Sequence, residues 1–151
     1  MNESERKAIM RANPMVEGFL STLLEDLQHS ESDEACTEDR EARDTGTIYD
    51  CPDSTFRAAV AECESFVAGL AKDSHGRNGL DLALDYAPNG YTLEAAGSDL
   101  YLERAGHGAG FRDRGLGRAG AWLSDGVDSR SSLEAYLGDD GRAYICGKER
   151  A

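Results

Sequence analysis

The sequence predicts an α+β fold in which N-terminal amphipathic helices pack on a small antiparallel sheet made of two C-terminal hairpins joined by a helix. Apolar residues recur at helical spacing over two stretches before residue 72. After residue 98 the pattern changes to short alternating runs separated by glycine-rich turns. With 151 residues, 40% hydrophobic and 30% charged, the chain is read as a single domain, 1–151, that can bury a core without a metal or a disulfide.

Residues 1–12 read as a polar, helical lead-in. Asn13-Pro14 then supplies a helix start, since Asn caps and Pro suits the first helical position. Met15, Val16, Phe19, Leu20, Leu23, Leu24 and Leu27 follow at i, i+3, i+4, i+7 spacing and predict a helix over about Pro14–His29. From Ser30 to Gly46 the chain holds seven acids, two arginines and almost nothing apolar, which predicts a mobile acidic loop at 30–46. Asp50-Cys51-Pro52-Asp53-Ser54 is turn and cap chemistry. Phe56, Ala59, Val60, Cys63, Phe66, Val67 and Leu70 then mark a second helix over about Thr55–Lys72.

Leu80–Tyr86 fits two readings, a strand by its strict alternation or a short helix that ends before Pro88. Tyr91–Ala96 reads as one helical turn. Asp99–Arg104 reads as a strand, with a return strand near Ala109–Arg112 across a glycine-rich connection. Leu116, Ala119, Trp122, Leu123 and Val127 predict a third helix. Leu133, Ala135 and Leu137 alternate up to Gly138-Asp139-Asp140-Gly141, and Ala143-Tyr144-Ile145 returns as the second hairpin. A calcium loop would need a longer oxygen series ending in Glu, so Asp-Gly here marks a turn.

Twenty-nine acids face sixteen bases, a net charge of −13. Such a field repels nucleic acid and anionic membrane and attracts basic protein surfaces. Direct nucleic-acid or membrane binding is therefore not expected. Thirteen of the bases are Arg and only Lys7, Lys72 and Lys148 are Lys. A salt-adapted proteome or a high-GC genome also produces these biases, in which case the charge serves solubility alone. No apolar run reaches membrane-spanning length, and Met1–Lys7 has no apolar signal region, so a cytoplasmic location is expected.

The four cysteines, Cys36, Cys51, Cys63 and Cys146, form no C-x-x-C pair, and His29, His75 and His107 are scattered, so no zinc site or other metal is expected. Cys63, on the apolar side of its helix, reads as a reduced core thiol; nothing in the sequence supports a Cys36–Cys51 bridge, and a reducing location fits best. Residues 105–118 form a locally neutral-to-basic island rich in glycine and arginine. Glycines let backbone N–H groups approach an anion, and arginines bind phosphate or carboxylate bidentately. His107, Arg112, Asp113 and Arg114 are the candidate ligand-binding set, with His107 the one histidine placed to act as a general base or metal ligand. The spacing matches neither the P-loop nor the dinucleotide fingerprint, and no cofactor is implied. Against this stands a simpler reading, turn glycines with arginines paired to neighbouring carboxylates.

The segment Gly97–Gly117 resembles a family of small uncharacterised phage and prophage proteins whose shared stretch runs G-H-D-F-W-L-T-R-N-G-H-G-A-G-F-W-D-R-G. His107-Gly108-Ala109-Gly110-Phe111, Asp113, Arg114 and Gly115 agree with it. Glu62–Phe66 and Tyr136–Tyr144 are also similar, so the resemblance covers about the C-terminal two-thirds of the chain. Ser98 stands where the family has its first His, Tyr101 where it has Trp, and Arg112 where it has its second aromatic, which argues against a paired-histidine metal site. The resemblance implies a phage-associated origin and an α+β fold, and it carries over no catalytic residue. Combined with the charge, it leads to the expectation of a non-enzymatic accessory protein. Such a protein would inhibit a host nucleic-acid-binding defence protein, a CRISPR effector or restriction enzyme, by a DNA-mimicking acidic surface. The residues expected to meet that basic partner are Glu31, Asp33, Glu34, Glu38, Asp39, Glu41 and Asp44, with Asp81 and Asp85 as a second patch. The competing expectation is a small enzyme or an anion- or nucleotide-binding protein that uses loop 105–118.

Overall fold

A computed structural model of the chain describes residues 1–29, 44–86, 90–127 and 131–149. Helices α1 (Glu3–Ala12), α2 (Pro14–Gln28), α3 (Asp53–Gly69), α4 (Gly79–Tyr86), α5 (Leu93–Arg104) and α6 (Arg118–Asp125) precede a terminal hairpin of β1 (Ser131–Leu137) and β2 (Ala143–Glu149). A 3-10 turn, Phe111–Asp113, lies between α5 and α6. The fold is α+β. Among the described residues no helix is long and apolar enough to cross a membrane.

Helix α1 starts where the Asn2 side chain accepts the Glu5 amide at 2.8 Å. It is docked by Arg6, which is only 3% exposed. The Arg6 guanidinium donates to the Ile48 carbonyl at 2.8 Å and to Asp53 at 2.7 Å, and lies 5.1 Å from the Phe56 ring centroid. Asp53 also receives the Met1 ammonium at 2.8 Å, and the two cations hold its carboxyl down at about 2.

Helix α2 runs through the centre of the core and buries the whole predicted stripe from Met15 to Leu27. Helix α5 crosses it at backbone contact. A Cβ at Gly18 would fall on the Glu94 carbonyl, and one at Gly97 on the Met15 carbonyl. The Ser98 hydroxyl donates to the Gly18 carbonyl at 3.1 Å across the same crossing. Helix α3 buries Phe56, Ala59, Cys63 and Phe66. Burial pushes the Cys63 thiol up to about 12, as suits an inert core sulfur. Cys51 is also a buried free thiol, its sulfur 3.3 Å from the Arg6 guanidinium.

Leu80–Tyr86 is helical. The Asn78 side chain accepts the Asp81 amide at 2.9 Å while the Asp81 carboxylate accepts the Asn78 amide at 3.0 Å, a reciprocal cap that fixes the start of α4.

The first of the two expected hairpins does not form. Asp99–Arg104 is the second half of α5, and Phe111–Asp113 is a 3-10 turn, not a return strand. Leu100 and Tyr101 are both buried, which a strand with alternating faces would not allow. Thr92 caps the helix by accepting the Ala95 amide at 3.1 Å. At the other end the Gly106 amide donates to the Glu103 carbonyl at 3.2 Å and the His107 amide to the Leu102 carbonyl at 3.0 Å. That is a Schellman stop, and it requires the positive φ of Gly106, +76°.

The C-terminal hairpin is present as expected, antiparallel, with Leu137 opposite Ala143 and Tyr136 opposite Tyr144. Leu133 and Ala143 are buried, while the Tyr136 and Tyr144 rings stack on the outer face with centroids 5.6 Å apart. The Thr55 hydroxyl donates to the Ala143 carbonyl at 2.7 Å and ties α3 to β2.

Candidate functional site

The residues that look chemical in the sequence gather around α5 and the connection that follows it. Asp99, in the middle of α5, is 1% exposed. Its two oxygens are both used: the Tyr91 hydroxyl donates to Oδ2 at 2.7 Å and Arg114 Nε donates to Oδ1 at 2.8 Å. Burial and the neighbouring carboxylate push the Tyr91 phenol up, so it stays a neutral donor. Two residues on, Tyr101 donates to Asp26 Oδ2 at 2.6 Å, and burial followed by this bond raises its phenol as well. His107 Nε2 lies 2.9 Å from the same Asp26 oxygen. An ionised carboxylate accepts and does not donate, so Nε2 carries the proton in this contact. Glu103 Oε2 accepts the Phe111 amide at 3.2 Å and the Ser124 hydroxyl at 2.8 Å. Arg104, 8% exposed, grips Glu62 of α3 through Nε at 2.8 Å and Nη2 at 3.0 Å.

The candidate ligand-binding residues are thereby directed to separate partners. His107 reaches α2 and Arg114 reaches the interior of α5. Arg112 pairs with Asp125 at 3.0 Å on the surface of α6, and Asp113 accepts the Gly110 amide at 2.9 Å. A shallow depression of about 470 Å³ does lie over the connection, lined by Glu103, Arg112, Asp113 and the glycines at 106, 108 and 110. His107 and Arg114 are not among its lining residues. Among the described residues no three His, Cys, Asp or Glu side chains come together to hold a metal. What the arrangement does chemically is tie one connecting loop to three helices through ionic and charge-assisted hydrogen bonds.

Of the acids expected to meet a partner, Glu31, Asp33, Glu34, Glu38, Asp39 and Glu41 lie outside the described residues. Asp44 is exposed and accepts the Gly46 amide at 2.9 Å. The neighbouring Thr45, placed by the sequence in the same loop, is buried and donates to the Leu24 carbonyl at 3.2 Å. Asp81 is exposed but serves as the α4 cap, and Asp85 is exposed and paired with Arg77. Sequence reasoning did not single out Asp26, Glu62, Tyr91 or Tyr101 as site residues. Their only signal is that each is a polar group on a helix or turn whose apolar neighbours are buried.

Comparison with protein-family models, with curated proteins and with solved structures gives no match.

Proposed function

We propose that this chain is a phage-type accessory protein that binds and inhibits a host nucleic-acid-binding defence protein, a CRISPR effector or a restriction enzyme, through its acidic surface. The observation that carries the reading is where the surplus charge goes. Arg6, Arg77, Arg104, Arg112 and Arg114 each pair with a carboxylate of the same molecule. Glu17, Glu25, Glu64, Glu94 and Asp139 are exposed and make no ion pair among the described residues. The chain as a whole carries a net charge of −13. An outward field of that sign favours a basic groove of the kind that otherwise holds a phosphate backbone. The residues that suggested chemistry are engaged in holding the loop, which favours binding over catalysis. The host compartment would then be the cytoplasm, where such defence proteins act.

The test is protection of incoming DNA. Cells carrying a restriction system or a CRISPR interference system are transformed with a target plasmid, with and without this chain. Protection is expected, and it should be lost when Glu31, Asp33, Glu38 and Asp39 are all changed to Lys. With purified components the inhibitory complex should weaken as salt rises, because exposed charges are screened over about 8 Å at physiological ionic strength. Unchanged protection by the fourfold variant overturns the acidic-surface reading, and no protection against any system tested overturns the inhibitor reading.

A further inference from the structure

We infer that the outer face of α6 is a self-complementary interface through which two copies of this chain form a two-fold dimer. Helix α6 buries Ala119, Gly120 and Leu123 against the rest of the molecule. Its opposite face carries Arg118, Ala121, Trp122 and Asp125, at i, i+3, i+4 and i+7. With Leu82 of α4 these residues line an open groove of about 460 Å³.

The order of the charges on this face is the informative feature. Arg118 is the first residue of α6 and Asp125 the last. The helix macrodipole favours an anion at the start and a cation at the end, so neither charge stabilises the helix that bears it. Arg118 is exposed and makes no ion pair among the described residues. Asp125, 72% exposed, has a surface contact with Arg112 through one oxygen. The stripe thus reads cation, small apolar, aromatic, anion. If a second copy is laid on it with the helices antiparallel, Arg118 of each copy meets Asp125 of the other. The seven-residue separation corresponds to about 10 Å along the axis, which leaves room for both Trp122 rings between the two ion pairs. This is the arrangement of an isologous contact, where residue i meets j and j meets i. A buried aromatic anchor ringed by paired charges is how small interfaces gain their affinity. A basic partner would face Arg118 with a like charge, so this groove suits a second copy and not the basic protein proposed above.

The purified full chain tests this by sedimentation velocity over a concentration series. The wild type should show a reversible monomer–dimer equilibrium. Arg118→Asp and Asp125→Arg should each weaken it by at least about tenfold and sediment as monomers, because two like-charge contacts replace two ion pairs. Both substitutions put charge in the order the dipole favours, and a thermal melt checks that the variants stay folded. An equimolar mixture of the two should dimerise again, since each reversed side chain then meets its complement. A wild type that is monomeric at every concentration overturns the inference. So does a dimer that either reversal leaves intact, or a mixture that remains monomeric.

Discussion

The crossing of α2 and α5 and the pairing of α4 with α6 solve the same problem, helix on helix, in opposite ways. At the first, main chains touch. Gly18 and Gly97 leave no room for a Cβ, Phe19 and Tyr101 meet edge-on at 5.4 Å, and the Tyr101 hydroxyl is spent on Asp26. At the second, a Cβ at Gly79 would lie 3.3 Å from the Leu123 side chain and 3.4 Å from Trp122 and from the Ala119 carbonyl, a tight fit but not the overlap met at the first crossing. The polar groups there, Arg77 with Asp85 and Arg112 with Asp125, face water. The difference separates structural polarity from recognition. Where Asp99, Tyr91, Arg104 and Glu62 are drawn into the molecule, their bonding capacity is used up internally, and even a histidine–aspartate pair serves as a tether. Where the charges stay outside, they remain available to another molecule.

The largest effect expected from breaking this contrast is at the crossing itself. Gly18→Ala or Gly97→Ala must push the helix backbones apart, because the obstacle is a carbonyl and not a flexible side chain. A loss of about 3 kcal/mol or more is expected, the upper end for overpacking, read as a lower urea midpoint. A loss under about 1 kcal/mol would mean that α5 slides freely over α2 and that the two regions do not differ. Next is Arg114→Ala. It strips the cation from a carboxylate that is 1% exposed and leaves it to Tyr91 alone. Removing one member of a fully buried pair costs about 3–5 kcal/mol. Because the Arg114 side chain is 43% exposed, that figure is discounted for solvent to about 2 kcal/mol.

The same contrast explains what could be read from the residues. Helices α2 and α3 and the C-terminal hairpin follow their apolar periodicity, since each has one wet and one dry face. Helix α5 has almost no such pattern, because it buries Asp99 and Arg104 beside Leu100 and Tyr101. A scan for apolar stripes cannot see a helix that is wrapped by polar partners. Its ends are set by local chemistry instead, Thr92 accepting the Ala95 amide at the start and Gly106 at positive φ at the stop. In α4 the reciprocal Asn78–Asp81 cap fixes a helix where the alternation of Leu80, Leu82 and Leu84 by itself also fits a strand. The tether residues were half visible. His107 and Arg114 stand out among glycines, but their partners Asp26 and Asp99 lie 81 and 15 residues away and only the fold brings them close.

The smallest effect, and the sharpest control, is Arg112→Ala. Arg112 lies two residues from Arg114 and also pairs with an aspartate, at 3.0 Å instead of 2.8 Å. By distance alone the two pairs should be worth nearly the same. Burial says otherwise: the Arg112 and Asp125 side chains are 59% and 72% exposed, so water already solvates both charges and their attraction is screened. A change within about 0.5 kcal/mol is expected, measured in the same urea titration as Arg114→Ala and at a protein concentration low enough to keep the chain monomeric. Equal losses at the two arginines would show that proximity, and not the buried carboxylate beneath Arg114, sets the strength with which this loop is held.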